Sequence, residues 1–179
     1  MRFLAIAIMA AAVAVVSSPA AAAWTEVVHE DLGLRKEWPG EPARATVEFK
    51  TPVAGTAMAQ ELTYEADNIV YRMTVVPLAN KLEASASIFG ECIFMAEDAG
   101  IPVAEMTARV EPGARAVYGR IISVDLRDNK GRAMTACFFT KGNLYKLEAI
   151  VKPEHGEPNS SLAIRFINSL SFNMAGERE

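Results

Sequence analysis

The stretch DNKGRAMTACFFTKGNLYKLEAIV, residues 128–151, decides the fold of this chain. It opens with the turn sequence Asp-Asn-Lys-Gly, and a second turn sequence, Lys-Gly-Asn, divides it at residues 141–143. Asn and Gly tolerate the positive φ angles that tight hairpin turns require. Beside these turns, apolar side chains recur with a period of two, which is typical of β-strands. The pattern predicts three antiparallel strands in meander order, at residues 115–127, 132–140 and 144–151.

The same alternation continues toward the N-terminus. Residues 45–50 alternate apolar with polar side chains and predict a strand with one solvent-facing side. Residues 56–76 predict a hairpin, because turn-forming residues divide them at 65–68 and Pro77 ends them. Residues 24–28 have the pattern of a short strand or an entry segment. Together with the meander, these segments indicate about six strands.

Two segments change to a helical period. Apolar residues recur every three or four positions in residues 83–99 and again in residues 160–170, which predicts two helices. Gly100 and Pro102 end the first helix, and a loop containing Pro112-Gly113 is expected to lead into the meander. The elements together predict an α+β fold, in which one antiparallel sheet of about six strands is flanked by these two helices.

The N-terminus has the order of a secretory signal peptide. A basic residue precedes the apolar run Phe3 to Val16, and the small residues Ala21-Ala22-Ala23 follow it. The run is too short to span a membrane as a helix. We expect residues 1–23 to be cleaved, residues 24–172 to form a single domain, and residues 173–179 to be a flexible tail. The mature protein is then periplasmic or secreted from a bacterium and has no integral membrane segment.

The charge of the chain limits its partners. The full chain has 18 Lys and Arg residues against 22 Asp and Glu residues, a formal net charge of −4, and loss of Arg2 with the leader changes this charge to −5. No basic run is longer than the pair Arg35-Lys36. Binding to nucleic acid or to an anionic lipid surface needs a basic patch. The composition therefore disfavours both.

Two cysteines, Cys92 and Cys137, lie 45 positions apart. An even cysteine count in an exported protein permits a disulfide bond. The helix containing Cys92 is expected on the sheet face that carries Cys137, which would allow the bond. The alternative is two buried thiols that pack as small hydrophobic side chains. A disulfide requires Cα atoms within about 7 Å, so this distance separates the two interpretations.

The sequence lacks the usual signals of catalysis. Neither His29 nor His155 belongs to a metal-binding or catalytic motif, and serine-nucleophile and phosphate-loop patterns are absent after the leader. The acidic pairs Glu30-Asp31 and Glu97-Asp98 are interpreted as solvated surface. We therefore predict no catalytic residue, no metal ligand and no cofactor.

Trp38 is the residue with the strongest indication of a binding role. It begins the Pro-rich turn Trp-Pro-Gly-Glu-Pro at residues 38–42. An exposed tryptophan is a common contact residue in interfaces, which makes Trp38 a candidate partner contact. The alternative is that its ring folds beneath the turn and covers the edge of the sheet.

The order of these features resembles the PsbP-like α/β/α sandwich, a fold found in many small exported bacterial proteins. The likeness lies in the turn at residues 38–42, in Tyr71-Arg72-Met73-Thr74-Val75, in residues 141–147 (KGNLYKL) and in residues 163–172 (AIRFINSLSF). The resemblance covers nearly all of the expected mature chain, but its motifs are packing and turn signals. It implies the sandwich fold and supplies no catalytic residues.

These observations favour an exported, non-catalytic accessory or binding domain, which recognises a protein or envelope partner through a sheet edge or its turns. An alternative is a carrier of a small apolar ligand, with a pocket between helix 83–99 and the sheet that uses Phe89, Ile93 and Tyr145. A third hypothesis is a hydrolase whose site draws His, acidic and Ser side chains from distant segments.

Overall fold

A computed structural model shows how these segments are arranged. It describes residues 23–51, 55–66, 68–78, 90, 92–110, 117–153 and 161–172. The predicted signal peptide, apart from its last residue, and the predicted tail lie outside the described residues, as do His155 and Phe89. Within the part of the chain that is described, no helix combines the length and the hydrophobicity needed to cross a membrane.

The described residues form ten strands and two α-helices. The strands are β1 (Thr25–His29), β2 (Leu34–Trp38), β3 (Ala43–Thr51), β4 (Gly55–Ala66), β5 (Ile69–Pro77), β6 (Gly100–Val110), β7 (Val117–Leu126), β8 (Arg132–Thr140), β9 (Asn143–Val151) and β10 (Ser171–Phe172). The helices are α1, described at residue 90 and at residues 92–99, and α2 (Ser161–Asn168).

The strands form two antiparallel sheets. The large sheet has seven strands in the order β3-β4-β5-β9-β8-β7-β6, and the small sheet has three in the order β1-β2-β10. The predicted meander is confirmed as β7, β8 and β9, and the predicted hairpin as β4 and β5. Positive φ angles at Asp128, Asn129, Lys141 and Gly142 close the two turns of the meander, as their residue types suggested.

The predicted fold class is wrong. The described residues do not form a sheet of about six strands flanked by two helices, because most of them are β-structure divided between a seven-stranded and a three-stranded sheet. Two causes account for the error. Residues 100–110, expected to belong to a loop, form the strand β6, and residues 34–38 pair with strands near both ends of the described chain in the small sheet.

Each face of the large sheet buries its own apolar cluster. The small sheet and α2 cover one face, here called the α2 face. On this face the Phe166 ring packs against the rings of Trp38 and Tyr71, with a centroid distance of 5.1 Å to each. Helix α1 lies on the opposite face, here called the α1 face, where Cys92 packs among residues that include Ile122. The large sheet is therefore buried from both sides, although α2 is too short to cover it fully.

Candidate functional site

Strand β6 is an open edge of the large sheet. Within the described residues it pairs with β7 alone. It is 11 residues long, and residues 101–107 are all exposed. An edge strand presents unpaired backbone N–H and C=O groups along its outer side, so β6 offers a long template for a further strand.

Large apolar side chains are exposed along this edge. The exposed fractions are 69% for Ile101, 46% for Val103 and 55% for both Met106 and Tyr118, of which Tyr118 lies on the neighbouring β7. Natural edge strands are usually protected by charged side chains, by Pro or by irregular pairing. The exposed apolar residues on β6 are therefore typical of a binding edge.

The two charged residues of β6 lie over β7. An oxygen of Glu105 is 3.0 Å from Nη1 of Arg120, and the Arg109 guanidinium lies 5.9 Å from the centroid of the Tyr118 ring. Both charged side chains project from the α1 face, because their partners in register, Ile122 and Tyr118, lie on that face. Their cross-strand contacts hold them in defined positions beside the open edge.

A groove of about 390 Å³ runs beside β6 on the α2 face. One wall is formed by β6, the floor by side chains of β7 and β8, and the other wall by the end of α2 and the residues after it. Helix α2 ends at this groove, because Ile167 and Asn168 line it together with residues of β6. Its lining combines apolar and polar residues: Met106, Ala108, Ile121, Phe138, Ile167 and Ser171 among others.

The opposite edge of the sheet differs in chemistry. Strand β3 carries the exposed charged residues Arg44, Glu48 and Lys50, while its apolar residues Val47 and Phe49 are partly buried against the sheet. Charged side chains along an edge discourage pairing with another chain. Strand β6 also carries two charged residues, but it combines them with the exposed apolar residues Ile101, Val103 and Met106, and β3 has no large apolar residue that is as exposed. Of the two edges, β6 is therefore the better candidate for recognition.

Trp38 is fully buried. Its ring makes an edge-on contact with Phe166, so its observed role is to pack the small sheet on α2. It therefore offers no exposed contact for a partner. The imidazole of buried His29 also faces the Trp38 ring, at a centroid distance of 6.4 Å.

Among the residues that the structure describes, no catalytic cluster surrounds His29. Burial lowers its pKa, an effect that Asp31 opposes and Arg44 reinforces. The Asp31 carboxylate is paired with Arg44, and the hydrogen bond from this guanidinium lowers the pKa of Asp31. The Nε2 atom of His29 has no hydrogen-bond partner among the described residues. Asp31 therefore pairs with a cation and does not orient the imidazole as a catalytic base.

Lys36 is the most deeply buried charged residue of the small sheet, with no exposed surface. Its ammonium donates hydrogen bonds to the Phe166 carbonyl and, at 2.8 Å, to Ser169 Oγ, and it lies 3.9 Å from the Phe166 ring centroid. Burial holds the pKa of Lys36 well below its ordinary value. These contacts are at the C-terminal end of α2, where backbone carbonyls lack helical partners. Lys36 therefore caps α2 and joins it to the small sheet.

Cys92 and Cys137 lie at disulfide distance. Their Cα atoms are 6.0 Å apart, and both side chains are buried. The expected placement of the helix with Cys92 on the sheet face with Cys137 is confirmed. The pair connects α1 to β8 on the face opposite the groove.

The residues suggested for an apolar-ligand pocket do not converge. Tyr145 lies on the α2 face, where its hydroxyl donates a hydrogen bond to the Leu32 carbonyl at 3.0 Å. Ile93 belongs to α1, on the opposite face of the sheet. Phe89 lies outside the described residues. The described members of this set therefore cannot line one cavity.

Charged residues on the α1 face form a cross-strand ladder. Glu148 lies 2.9 Å from Lys146 and 3.6 Å from Arg72, and Arg72 also lies 3.6 Å from Glu61. Opposite charges alternate along this ladder, which compensates the burial of Glu148. Across the described ranges, no three His, Cys, Asp or Glu side chains are grouped so that they could hold a metal ion.

Comparison with protein-family models and with curated proteins finds no match to this chain. The candidate site therefore rests on geometry. The sequence does not predict this site, because Gly100 and Pro102 are typical helix-ending residues and obscure the strand that begins there. The signal that could have found it is the alternation of Met106, Ala108 and Val110 with polar residues, which has the period of a strand.

Proposed function

We propose that this chain is an exported, non-catalytic binding domain that recognises an extended segment of a partner protein along β6. The observation that carries the proposal is the long open edge of β6, with exposed apolar side chains and a groove beside it. The signal-peptide pattern of residues 1–23 supports export. Recognition by addition of a strand uses backbone hydrogen bonds for affinity and alternate side chains for specificity.

The geometry assigns different chemistry to the two faces of an added strand. Its side chains on the α2 face would lie beside Met106 and Ala108, at the mouth of the groove. Its side chains on the α1 face would lie beside Glu105, Thr107 and Arg109. A matching segment therefore alternates apolar residues with polar residues and carries a charge of each sign.

Fluorescence anisotropy with a labelled peptide tests this function. The peptide Thr-Glu-Leu-Thr-Leu-Arg-Val, added antiparallel with its central Thr opposite Thr107, places its Glu opposite Arg109 and its Arg opposite Glu105. Two variants, Thr107→Pro and Ala108→Pro, each remove one backbone N–H. Neighbouring residues of an antiparallel strand direct their N–H groups to opposite sides, so one of the two variants loses only an outward donor.

The variant that retains the wild-type melting temperature is expected to bind the peptide at least tenfold more weakly, or about 1.4 kcal/mol. The matched control is whichever of Thr46→Pro and Val47→Pro, on the opposite edge strand β3, keeps the wild-type melting temperature, and it should leave the affinity unchanged. The proposal fails if the peptide does not bind. It also fails if the well-folded β6 variant binds as tightly as the wild type.

A further inference from the structure

We propose that the strand bound by β6 is β6 of a second copy of this chain, paired antiparallel about a twofold axis at Thr107. This inference rests on the proposed function, because it names the partner of the same open edge. In a twofold interface each contact is made twice. With Thr107 opposite Thr107 of the second copy, the stretch Ala104–Val110 of one copy pairs with the same stretch of the other.

Charge selects this register. Glu105 of each copy lies opposite Arg109 of the other, and both residues project from the α1 face. Directly opposed charges of opposite sign stabilise an antiparallel pair, whereas like charges destabilise it. A register centred on Glu105 or on Arg109 would place two like charges opposite each other. The register centred on Thr107 instead makes two attractive contacts.

The shapes of the side chains on the α2 face fit the same register. Met106 of each copy lies opposite Ala108 of the other, so the largest exposed apolar side chain of this stretch meets the smallest residue of the groove wall. Methionine is flexible and adapts to irregular apolar surfaces. Met106 of the second copy is therefore positioned to enter the groove beside Ala108.

Two features that protect β6 from pairing, a proline and an irregular register, end before this stretch begins. Pro102 has no N–H to donate, and the register with β7 is irregular between Pro102 and Ala104. Proline and irregular pairing both prevent a further strand from adding at an edge. The stretch from Ala104 to Val110 has neither feature, so the two large sheets can join through it into one continuous sheet.

A charge-exchange experiment tests the partner. The variants Glu105→Lys and Arg109→Glu each turn every opposed pair into a like-charged pair, so in sedimentation velocity each alone should show a dimer dissociation constant at least tenfold higher than the wild type. An equal mixture restores both attractive contacts in a heterodimer, which should form with nearly wild-type affinity. The control variants Glu48→Lys and Lys50→Glu on β3 should not change the dimer.

Cross-linking tests the register independently and remains informative if Glu105→Lys does not fold. Residues directly opposite in an antiparallel pair have Cα atoms about 4.5–5.5 Å apart, within the range of a disulfide. Thr107→Cys should therefore give a covalent dimer under mild oxidation. Met106→Cys should give much less covalent dimer, because residue 106 does not lie opposite residue 106 of the second copy. Thr46→Cys on β3 should also give much less.

The outcomes separate this inference from the proposed function. The dimer proposal is overturned if the protein stays monomeric at all concentrations. It is also overturned if the mixture of the two charge variants dimerises no more tightly than either variant alone. If the labelled peptide still binds to β6 in that case, the proposed function stands with another partner. If neither the peptide nor a second copy binds, both proposals are overturned.

Discussion

Lys36 illustrates how single residues connect the layers of this protein. A buried ammonium is costly unless hydrogen bonds compensate for lost hydration. The carbonyl of Phe166 and the hydroxyl of Ser169 supply that compensation, and they lie where the dipole of α2 is negative. Because burial lowers the pKa of Lys36, the unfolded chain holds this proton more tightly than the folded chain does.

The free energy of unfolding should therefore depend on pH through Lys36. Between the lowered pKa of the folded state and the ordinary lysine value, the unfolded state binds more protons, so stability rises with pH. In Lys36→Met this contribution disappears, and the stability lost relative to the wild type should grow as the pH rises toward the ordinary value. Chemical denaturation of both proteins at several pH values above neutrality measures this difference in the free energy of unfolding.

The matched control for Lys36 is Lys152→Met, because the Lys152 side chain is exposed and pairs with Glu65 at the surface. This variant should leave the pH dependence of the wild type unchanged. Parallel stability curves for the wild type and Lys36→Met would contradict the assigned burial effect.

Gly119 is required by close packing between β7 and β8. A Cβ atom at this position would collide with the Cys137 carbonyl oxygen and lie 2.8 Å from Cε1 of the Phe138 ring. We expect Gly119→Ala to lower the free energy of unfolding by about 2–3 kcal/mol, as measured by urea denaturation. Gly90→Ala is the control, because no atom of another described element lies within 4 Å of the added Cβ and helices favour Ala over Gly. Equal effects at both positions would refute the packing argument.

Among the elements, β4, β5 and the meander β7–β9 followed from sequence, whereas β6 did not. The predicted strands have period-two patterns bounded by turn residues with positive φ, such as Asn68 and Gly142. Strand β6 follows α1 directly at Gly100 and contains Pro102, and both residues are also typical helix-ending signals. Pro is compatible with an edge strand because its missing N–H faces no partner, a distinction that needs the sheet order.

The contact between α1 and β8 makes a prediction about the cysteines. The Cα distance of 6.0 Å between Cys92 and Cys137 suits a disulfide, and such a bond would restrict the unfolded chain. We expect the exported protein to show no free thiols, and its reduction to cost roughly 2–4 kcal/mol of stability. Thiol titration after denaturation counts the free thiols, and thermal unfolding with and without reductant measures the stability lost on reduction.

The variant Cys92→Ala should lose stability under oxidising conditions and become insensitive to reductant. Two titratable thiols in the freshly isolated exported protein would contradict the bond and favour the alternative of two buried thiols.

The arrangement of the whole molecule follows from pairings that no local pattern specifies. Strand β9 lies between β5 and β8, so it joins the N-terminal strands to the meander. Strand β2 pairs with β1 and with β10, which brings both ends of the described chain into one small sheet. These pairings join segments that are distant in sequence, whereas turn residues predict only the pairing of strands that follow one another along the chain. The candidate site depends on them, because they place β6 at an open edge and the end of α2 beside the groove.

Export makes a prediction for the whole chain. Expression of the full sequence in a Gram-negative bacterium should deliver a periplasmic protein whose first residue is Trp24, because cleavage is expected after Ala23. Cell fractionation determines where the protein is located, and N-terminal sequencing determines its first residue. A protein retained in the cytoplasm with residues 1–23 attached would contradict it.

Amide hydrogen exchange of β6, followed residue by residue by NMR with and without the labelled peptide at saturation, tests the binding edge most directly at a concentration at which the protein is monomeric. Strand addition predicts slower exchange at alternate residues between Ala104 and Val110, because only the outward N–H groups gain partners. Exchange along β3 should stay unchanged. Unaltered exchange on β6, or equal protection on β3, would contradict recognition at this edge.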